Sequence, residues 1–492
     1  MKKFGKMIVL CACVMLLALL FTACDSTTQQ PTQGADQTAG GTPTAAPTDQ
    51  PTLEKVYMKA GDTYRVLVWN TRETDEPFTQ EGVRGQQLRE RADEMKEKYG
   101  VTMTYIAAPG NWLGDALDST QAGAPICDIL HCGGPWAMLL IYGYGGSPGD
   151  LMVPLNRYSE AGSFSDARYW DVDLQEIGTF NGNQYFFVPQ GNGFNMVALN
   201  MATFFNKMLI RKGGYTEEQL YDWSDKGEWT FDRMREVALN CTDLDQEIYG
   251  MSLGENSCAL LCMITANGGD LVRKEDVNGV MTERFAANGA KTVEAIEYYV
   301  SMVRDDKSVY LGENPMFSSE ATDFMANKLA LMPTYINRAE QIYENMESDY
   351  GILMPPKGPS ADRYLSDKNW IEPWCILNNI PNVEGAVQAA SIFLKPFMAV
   401  DDADNLALLE AEAQKFRLDE RSINTLKKIP EANSAKSYMV YLSLKATQDA
   451  DVSTVLIYHT MEFINGTDSP QTYFESMAQA VNSALDAALL VK

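Results

Sequence analysis

Tyr64-Arg65-Val66-Leu67-Val68-Trp69 is a run of β-branched and aromatic residues that stops at polar Asn70, the pattern of a short buried strand. Leu88, Ala92, Met95 and Tyr99 follow at i, i+4, i+7 and i+11, the repeat of one helix face, and Gly100 supplies a helix stop. Val101, Met103 and Tyr105 alternate with threonines as in a second strand, and Ile126 to Leu130 reads as a third. Strand, helix, strand in this rhythm predicts an α/β domain with a largely parallel sheet.

Downstream, Tyr185–Pro189 and Met196–Leu199 read as further strands split by Gln190-Gly191-Asn192-Gly193. Helical periodicity then dominates. Val293, Ile296, Val300 and Val303 form one stripe, Val383, Val387, Ala390 and Leu394 a second, and Phe474, Met477, Val481 and Leu485 a third, with a strand at Leu329–Thr334 between the first two.

Upstream lies an address rather than a fold. Lys2, Lys3 and Lys6 precede 17 residues without charge, Met7 to Ala23, short of the roughly 20 a membrane-spanning helix needs. The stretch ends Phe21-Thr22-Ala23-Cys24, small residues before a cysteine, as in a bacterial lipobox. Residues 1–23 are therefore expected to be a lipoprotein signal peptide and Cys24 the lipidated first residue, an ordinary secretory signal being the alternative. Residues 24–58 then form the expected linker. From Asp25 to Thr52 it is Thr, Gln, Pro, Ala and Gly with no aromatic and no Leu, Ile, Val or Met, too little apolar surface to offset ordering entropy. As a coil this stretch spans roughly 30 Å.

The whole chain has 492 residues, with 40 Lys and Arg against 66 Asp and Glu and a formal charge of −26. That balance excludes nucleic acid as the main partner. The two histidines, His131 and His459, exclude a three-histidine metal site, and no metal or cofactor is expected. Six cysteines remain in the body, Cys127, Cys132, Cys241, Cys258, Cys262 and Cys375. An extracytoplasmic location permits disulfides, yet the spacing dictates none, and Cys258 and Cys262 at i, i+4 suit one helix face as small apolar residues. Most are expected to be unpaired.

Catalytic motifs fail on inspection. Gly145-Gly146-Ser147-Pro148-Gly149 fits G-x-S-x-G, but the oxyanion hole needs the N–H of the residue after the serine, and Pro148 has none. Pro148 also stands where a dinucleotide fingerprint needs its third glycine. Asp243, Asp245 and Glu247 alternate as calcium ligands could, without the Gly and Glu of a complete EF-hand loop, so a solvated loop with Asx turns is expected. A glycosidase needs two carboxylates about 5–10 Å apart, and a sequence this acidic neither selects nor excludes such a pair.

Eight segments in order resemble the extracellular solute-binding proteins of ABC importers, in particular the carbohydrate-binding group that includes maltose-binding protein. Ala122–Asp128 resembles "AG-x-x-PD", Met152–Asn156 "L-x-PLD", Phe204–Lys207 "YYNK", Trp229–Asp232 "WTWDE" and Ile248–Gly250 the "YG" strand. Ala266–Asp270 is close to "ANGGD", Phe324–Met332 resembles "F-x-x-GKAAM" with Asn327 replacing Gly, and Gly351–Gly358 resembles "G-x-x-PLPKG".

The resemblance implies an α/β, two-lobed periplasmic-binding-protein-like fold with hinge strands and an interlobe ligand cleft. The N-terminal lobe would be 59–190 and 356–400, the C-terminal lobe 191–355 and 401–492. It also implies a monomeric, lipid-anchored receptor on the extracytoplasmic face of the bacterial cell membrane, which closes over a sugar or oligosaccharide and delivers it to ABC permease subunits. An extracytoplasmic carbohydrate-active enzyme and a sensor lipoprotein without a transport partner are the alternatives.

Sugars pair hydroxyls with weakly apolar C–H faces, so their sites combine flat aromatics with bidentate polar groups. In open α/β sheets such groups lie beyond the carboxyl ends of strands. The candidates are Asn70, Arg72 and Glu73 after the first strand, His131 and Trp136 after the third, and Asn192 and Phe194 at the first hinge. Asn256 precedes the "ANGGD" helix end. Tyr335, Asn337 and Arg338 follow Leu329–Thr334, where the family often shows "G-x-W" and Tyr335 would stack instead. Trp370 and Trp374 flank the return strand near Glu372.

Overall fold

The computed structural model describes residues 55–69, 83–142, 151–180, 182–252, 254, 257–311, 320–366, 368, 370–434 and 454–489. The signal peptide, Cys24 and the G-x-S-x-G segment lie outside them. The ordered body begins earlier than the linker expectation allows. Gln388 receives the N–H groups of Tyr57 and Met58 and donates to Lys55 O, so residues 55–58 are docked against the helix Val383–Phe393.

β1 (Thr63–Val68) lies between β2 (Thr102–Ala107) and β3 (Ile129–His131), parallel to both. α1 (Val83–Tyr99) links β1 to β2, α2 (Trp112–Gln121) leads to β3, and α3 (Gly134–Tyr142) follows it. The return strand Trp374–Ile376 pairs antiparallel with β3 and with Phe186–Phe187, completing five strands. Alternation along β1 sends Leu67 to one apolar cluster with Leu130 and Cys375, and Val66 and Val68 to another with Ile129, Phe187 and Phe393.

The second sheet is antiparallel throughout. Met201–Asn206 runs between Leu331–Tyr335 and Tyr350–Leu353. Its alternate residues also divide: Phe205, Leu331 and Leu353 join the cluster of Leu67, whereas Phe204, Met332 and Ile352 face Ile342, Leu409 and Leu426. No strand forms at the expected Met196–Leu199; the chain there makes a short 3-10 helix, Gly193–Met196, and then a turn over 197–199. Gly193 sits at φ +56 and Phe194 is drawn into the core, so the chain bends there and enters the sheet at the buried run Met201–Asn206 instead.

Three segments cross between the sheets: 188–193, 354–373 and 394–402. Side-chain amides tie the first to the third. Asn192 donates to Met398 O at 3.0 Å and accepts the Phe397 N–H at 3.2 Å. Asn405 accepts the Gly193 N–H at 2.7 Å and donates to Ala399 O at 3.0 Å. Lys368, in the second crossing, pairs with Asp171, which also caps α4 (Val172–Ile177). The molecule is thus a two-lobed α/β protein with one parallel-rich and one antiparallel sheet joined by crossing strands.

The six body cysteines are all free and buried, and burial pushes the Cys127 and Cys258 thiols well up. Cys258 and Cys262 pack on Met201 as small apolar residues do. No helix among the described residues is long and apolar enough to cross a membrane.

Candidate functional site

Parallel strands deliver their carboxyl ends to one edge, and that edge of the five-stranded sheet carries indoles. Trp69 follows β1, its N–H bonded to His131 O at 3.1 Å. Trp112 opens α2 after β2, and Trp136 stands in the first turn of α3 after β3. The Trp69 and Trp136 ring centroids are 4.6 Å apart, and Trp112 lies 6.3 and 6.2 Å from them. Trp370 comes from the second crossing segment and meets Trp136 edge-on at 5.8 Å and 75°. All four rings are half-buried. The Trp69 Nε1–H is buried and has no hydrogen-bond partner among the described residues. Gly133 makes the wall sterically feasible. A Cβ there would lie 2.5 Å from the Trp136 ring and 2.8 Å from the Trp370 ring.

Behind the wall is a polar base. His131 is buried, its ring 4.5 Å from Trp374 and its Nε2 3.9 Å from Glu372 Oε2. Glu372 Oε1 accepts the Trp370 Nε1–H at 3.1 Å. Sequence reasoning therefore brings together His131, Trp136, Trp370 and Trp374. It missed Trp69 and Trp112, although both stand just after a strand, where the same positional rule would have found them.

The edge of the antiparallel sheet differs. Tyr335 is half-buried against Met201, Cys258 and Cys262. Arg338 Nε lies 3.9 Å from Oε1 of Glu320, a carboxylate only 1% exposed that also accepts the Thr334 hydroxyl at 3.0 Å. Ser257, at φ +57 before the helix Cys258–Ala266, has a buried hydroxyl with no partner among the described residues. This wall offers hydrogen-bonding groups and one ring.

Two expected ligand residues are corrected. Both ends of the Asn192 amide are spent on the hinge backbone. Phe194 is core, its ring edge-on to Phe416 at 4.8 Å. Asn337 lies exposed, with its N–H bonded to Ala198 O. Asn70, Arg72, Glu73 and Asn256 fall outside the described residues.

Two surface depressions lie elsewhere. One of about 430 Å³ is lined by Asp225, Lys226, Arg363 and Lys428, another of about 410 Å³ by Lys212, Asn240, Asp243 and Asp245. In the first, Lys428 pairs with Asp225 and Lys226 with Asp222, and neither is lined by a ring cluster. Asp243, Asp245 and Glu247 surround a 3-10 turn, with Asp243 accepting from Gln246 and Glu247 pairing with Lys328. Among the described residues no group of three His, Cys, Asp or Glu is placed to hold a metal ion.

Residues 79–396, more than half of the chain, match the profile of a family described as bacterial extracellular solute-binding protein. No curated protein matches the chain. Among solved structures, the cyclic α-maltosyl-1,6-maltose binding protein from Arthrobacter globiformis superposes with a TM-score of 0.60 at 14% identity, over 86% of this chain and 98% of that one. The ABC substrate-binding protein Lmo0181 from Listeria monocytogenes, solved with cycloalternan, gives 0.58 at 15%, with the same coverage. UgpB from Mycobacterium tuberculosis, in complex with glycerophosphocholine, gives 0.58 at 13%, over 87% and 99%. At such identities the likeness is one of fold.

Proposed function

The chain belongs to the bacterial extracellular solute-binding protein family, and from that premise we propose that it is a receptor capturing a sugar or oligosaccharide for an ABC importer. The observation that carries the sugar assignment is the wall of four half-buried indoles at the carboxyl edge of the parallel strands. Indole faces match the C–H faces of pyranose rings, and a row of them extends further than one ring needs. The opposite edge supplies Tyr335, Arg338 and the Ser257 hydroxyl as partners for hydroxyls. Solved neighbours that hold cycloalternan or bind cyclic maltosyl-maltose support the same class, while the glycerophosphocholine complex marks the polar non-sugar alternative.

Capture works by population shift. A guest resting on the indoles gains the second set of contacts only when the lobes close, so it favours the closed form by that difference in affinity. No covalent step is required. Cys24 would carry the lipid that holds the body beside the permease subunits, leashed by the linker.

The test is a thermal-shift and calorimetric screen of the mature chain against mono- and oligosaccharides, with the sugar recovered and analysed afterwards. A binder at 100 times its Kd should add about 2.7 kcal/mol of stability and be recovered unaltered. Absence of any shift across the panel defeats the sugar assignment, and turnover of the sugar defeats the receptor reading. Cys24→Ala should release the protein from cells into the medium; retention on the membrane would remove the anchor from the proposal.

A further inference from the structure

Trp370 is the exception in the indole wall. Trp69, Trp112 and Trp136 are carried by, or directly follow, strands and helices of one lobe, whereas Trp370 sits in a crossing segment. The anchoring of that segment changes over a few residues. Ser366 is held by the antiparallel half: its N–H bonds Ala432 O, its hydroxyl donates to Met201 O and accepts from Asn200. From Lys368 onward the chain is held by the parallel half, first through the Lys368–Asp171 pair and then through Gly134 N–H to Ile371 O at 2.9 Å and Cys132 N–H to Pro373 O at 3.2 Å. The handover from Ser366 to Lys368 thus lies just before Trp370. A half-buried side chain hops between rotamers in picoseconds to nanoseconds unless something holds it, and an edge-on ring contact contributes only about 0.5–1.5 kcal/mol beyond its buried area.

We propose that Glu372 is the positioning residue of this wall, pinning the Trp370 indole so that its face keeps its place while the hinge turns. Glu372 Oε1 accepts the Trp370 Nε1–H at 3.1 Å, and a bond to an ionised acceptor is stronger than a neutral one. The carboxylate is braced from behind, with Oε2 3.9 Å from His131 Nε2 and that ring set against Trp374 at 4.5 Å. Its side chain is 18% exposed, so the charge stays partly solvated. Bare Gly133 fixes the inner edge of Trp370 by shape, and Glu372 fixes the edge that carries the nitrogen. The inference rests on reading the wall as the ligand platform, but the pin itself is measurable without ligand.

The experiment labels the tryptophans of the mature chain with nitrogen-15, assigns the Trp370 indole N–H by its loss in Trp370→Phe, and follows hydrogen exchange at that proton. Wild type should be protected. Glu372→Gln, which keeps an acceptor oxygen, should stay protected, while Glu372→Leu should exchange at least tenfold faster with the other indoles unchanged. With maltotriose as probe, Glu372→Leu should bind about tenfold more weakly than wild type and Glu372→Gln within twofold of it. Free exchange of the Trp370 proton in the wild type, or equal exchange in the Leu and Gln variants, overturns the pin. Should Glu372→Leu not fold, Glu372→Ala, which also removes the acceptor, takes its place in the same comparison. Sugars that fail to bind while the proton stays protected overturn the platform reading and leave the pin standing.

Discussion

The two sheets present opposite kinds of edge. The parallel strands β1, β2 and β3 all end on the same side, so Trp69, Trp112 and Trp136, which follow them, converge without further instruction. In the antiparallel sheet Met201–Asn206 runs against both neighbours. The edge where Leu331–Tyr335 ends is therefore the edge where Met201 begins, and Ile336 and Asn337 bond back to Asn200 and Ala198. The first lobe gathers rings at its edge; the second gathers strand starts, strand ends and a helix start, with polar groups among them. On the proposed function, the labour would divide accordingly: apolar stacking on one side, hydrogen bonding on the other.

The strongest way to break this contrast is to compare one ring from each wall. Trp136→Ala removes the indole that touches Trp69, Trp112 and Trp370. Its loss should cost about 2 kcal/mol or more, as central aromatic anchors do, which is roughly 30-fold in affinity. Tyr335→Ala should cost less than about tenfold, because its ring packs on Met201, Cys258 and Cys262 at the side of the wall. Calorimetric titration of the sugar selected by the panel measures both, and a larger effect at Tyr335 would invert the assignment of the walls.

The same contrast explains what could be read from the sequence. Hydrophobic periodicity located α1, β2 and the helices at Ala290–Arg304, Val383–Phe393 and Pro470–Leu489, because one buried face imposes a period. Motifs located the scaffold for a related reason. Asn267 of "ANGGD" is buried, donates to Lys291 O at 2.7 Å and accepts the Ser360 N–H at 2.9 Å. Thr230 caps the helix that starts at Phe231, and Trp229 is core. Such residues are chosen by folding and are silent about the guest. The rule that ligand groups follow strands points to His131 and Trp136, which the structure places at the carboxyl ends of parallel strands. It misassigned Asn192 and Phe194, since a crossing segment must first satisfy its own backbone and core. Met201–Asn206 was mislocated because a strand buried on both faces has no alternation to mark it.

Within the polar wall, Arg338→Met leaves the buried Glu320 carboxylate without its guanidinium neighbour. The carboxylate keeps the Thr334 hydroxyl, so the loss of the guanidinium should cost about 1–3 kcal/mol, seen as a lower urea midpoint at unchanged m. Adding Glu320→Gln should restore most of the loss, and equal losses in the single and double variants would remove the pair from the account. A smaller effect is expected where the halves touch outside the ligand space. Lys274, on the hairpin Val272–Val277/Val280–Phe285, donates to Glu176 Oε1 at 2.6 Å, Glu176 O at 2.8 Å and Thr179 O at 3.4 Å at the end of α4. Partly exposed pairs contribute about 1 kcal/mol or less, so Lys274→Met should change the open-to-closed ratio by up to about fivefold, read as a rise in the small-angle scattering radius of the free protein. An unchanged radius would mean that this contact does not report on closure.

The smallest expected effect also separates the halves, by the sign of a pH dependence. In the parallel half, burial alone would lift the Asp62 carboxyl, but hydrogen bonds from Asn382, the Lys59 N–H and Tyr64 outweigh it and hold the group below its usual value. Its contribution is present above the unfolded pKa of about 3.9 and is lost as the pH falls through the folded value. On the hairpin, burial lifts Glu283 and the ammonium of Lys274, 4.0 Å away, offsets only part of the rise, while Glu176 adds to it and Arg284 opposes it. Its contribution runs the other way, complete below about pH 4.3 and lost as the pH rises through the folded value. Glu283→Gln should therefore raise the melting temperature at pH 7 by roughly 1–2 °C and leave it unchanged at pH 4, while Asp62→Asn should lower it at pH 7 and by progressively less as the pH falls below about 3.9. Melting curves of the two variants across that range decide the matter: shifts of the same sign at pH 7 would show that burial of Glu283 is matched by its neighbours, and that the hairpin stores no unfavourable charge.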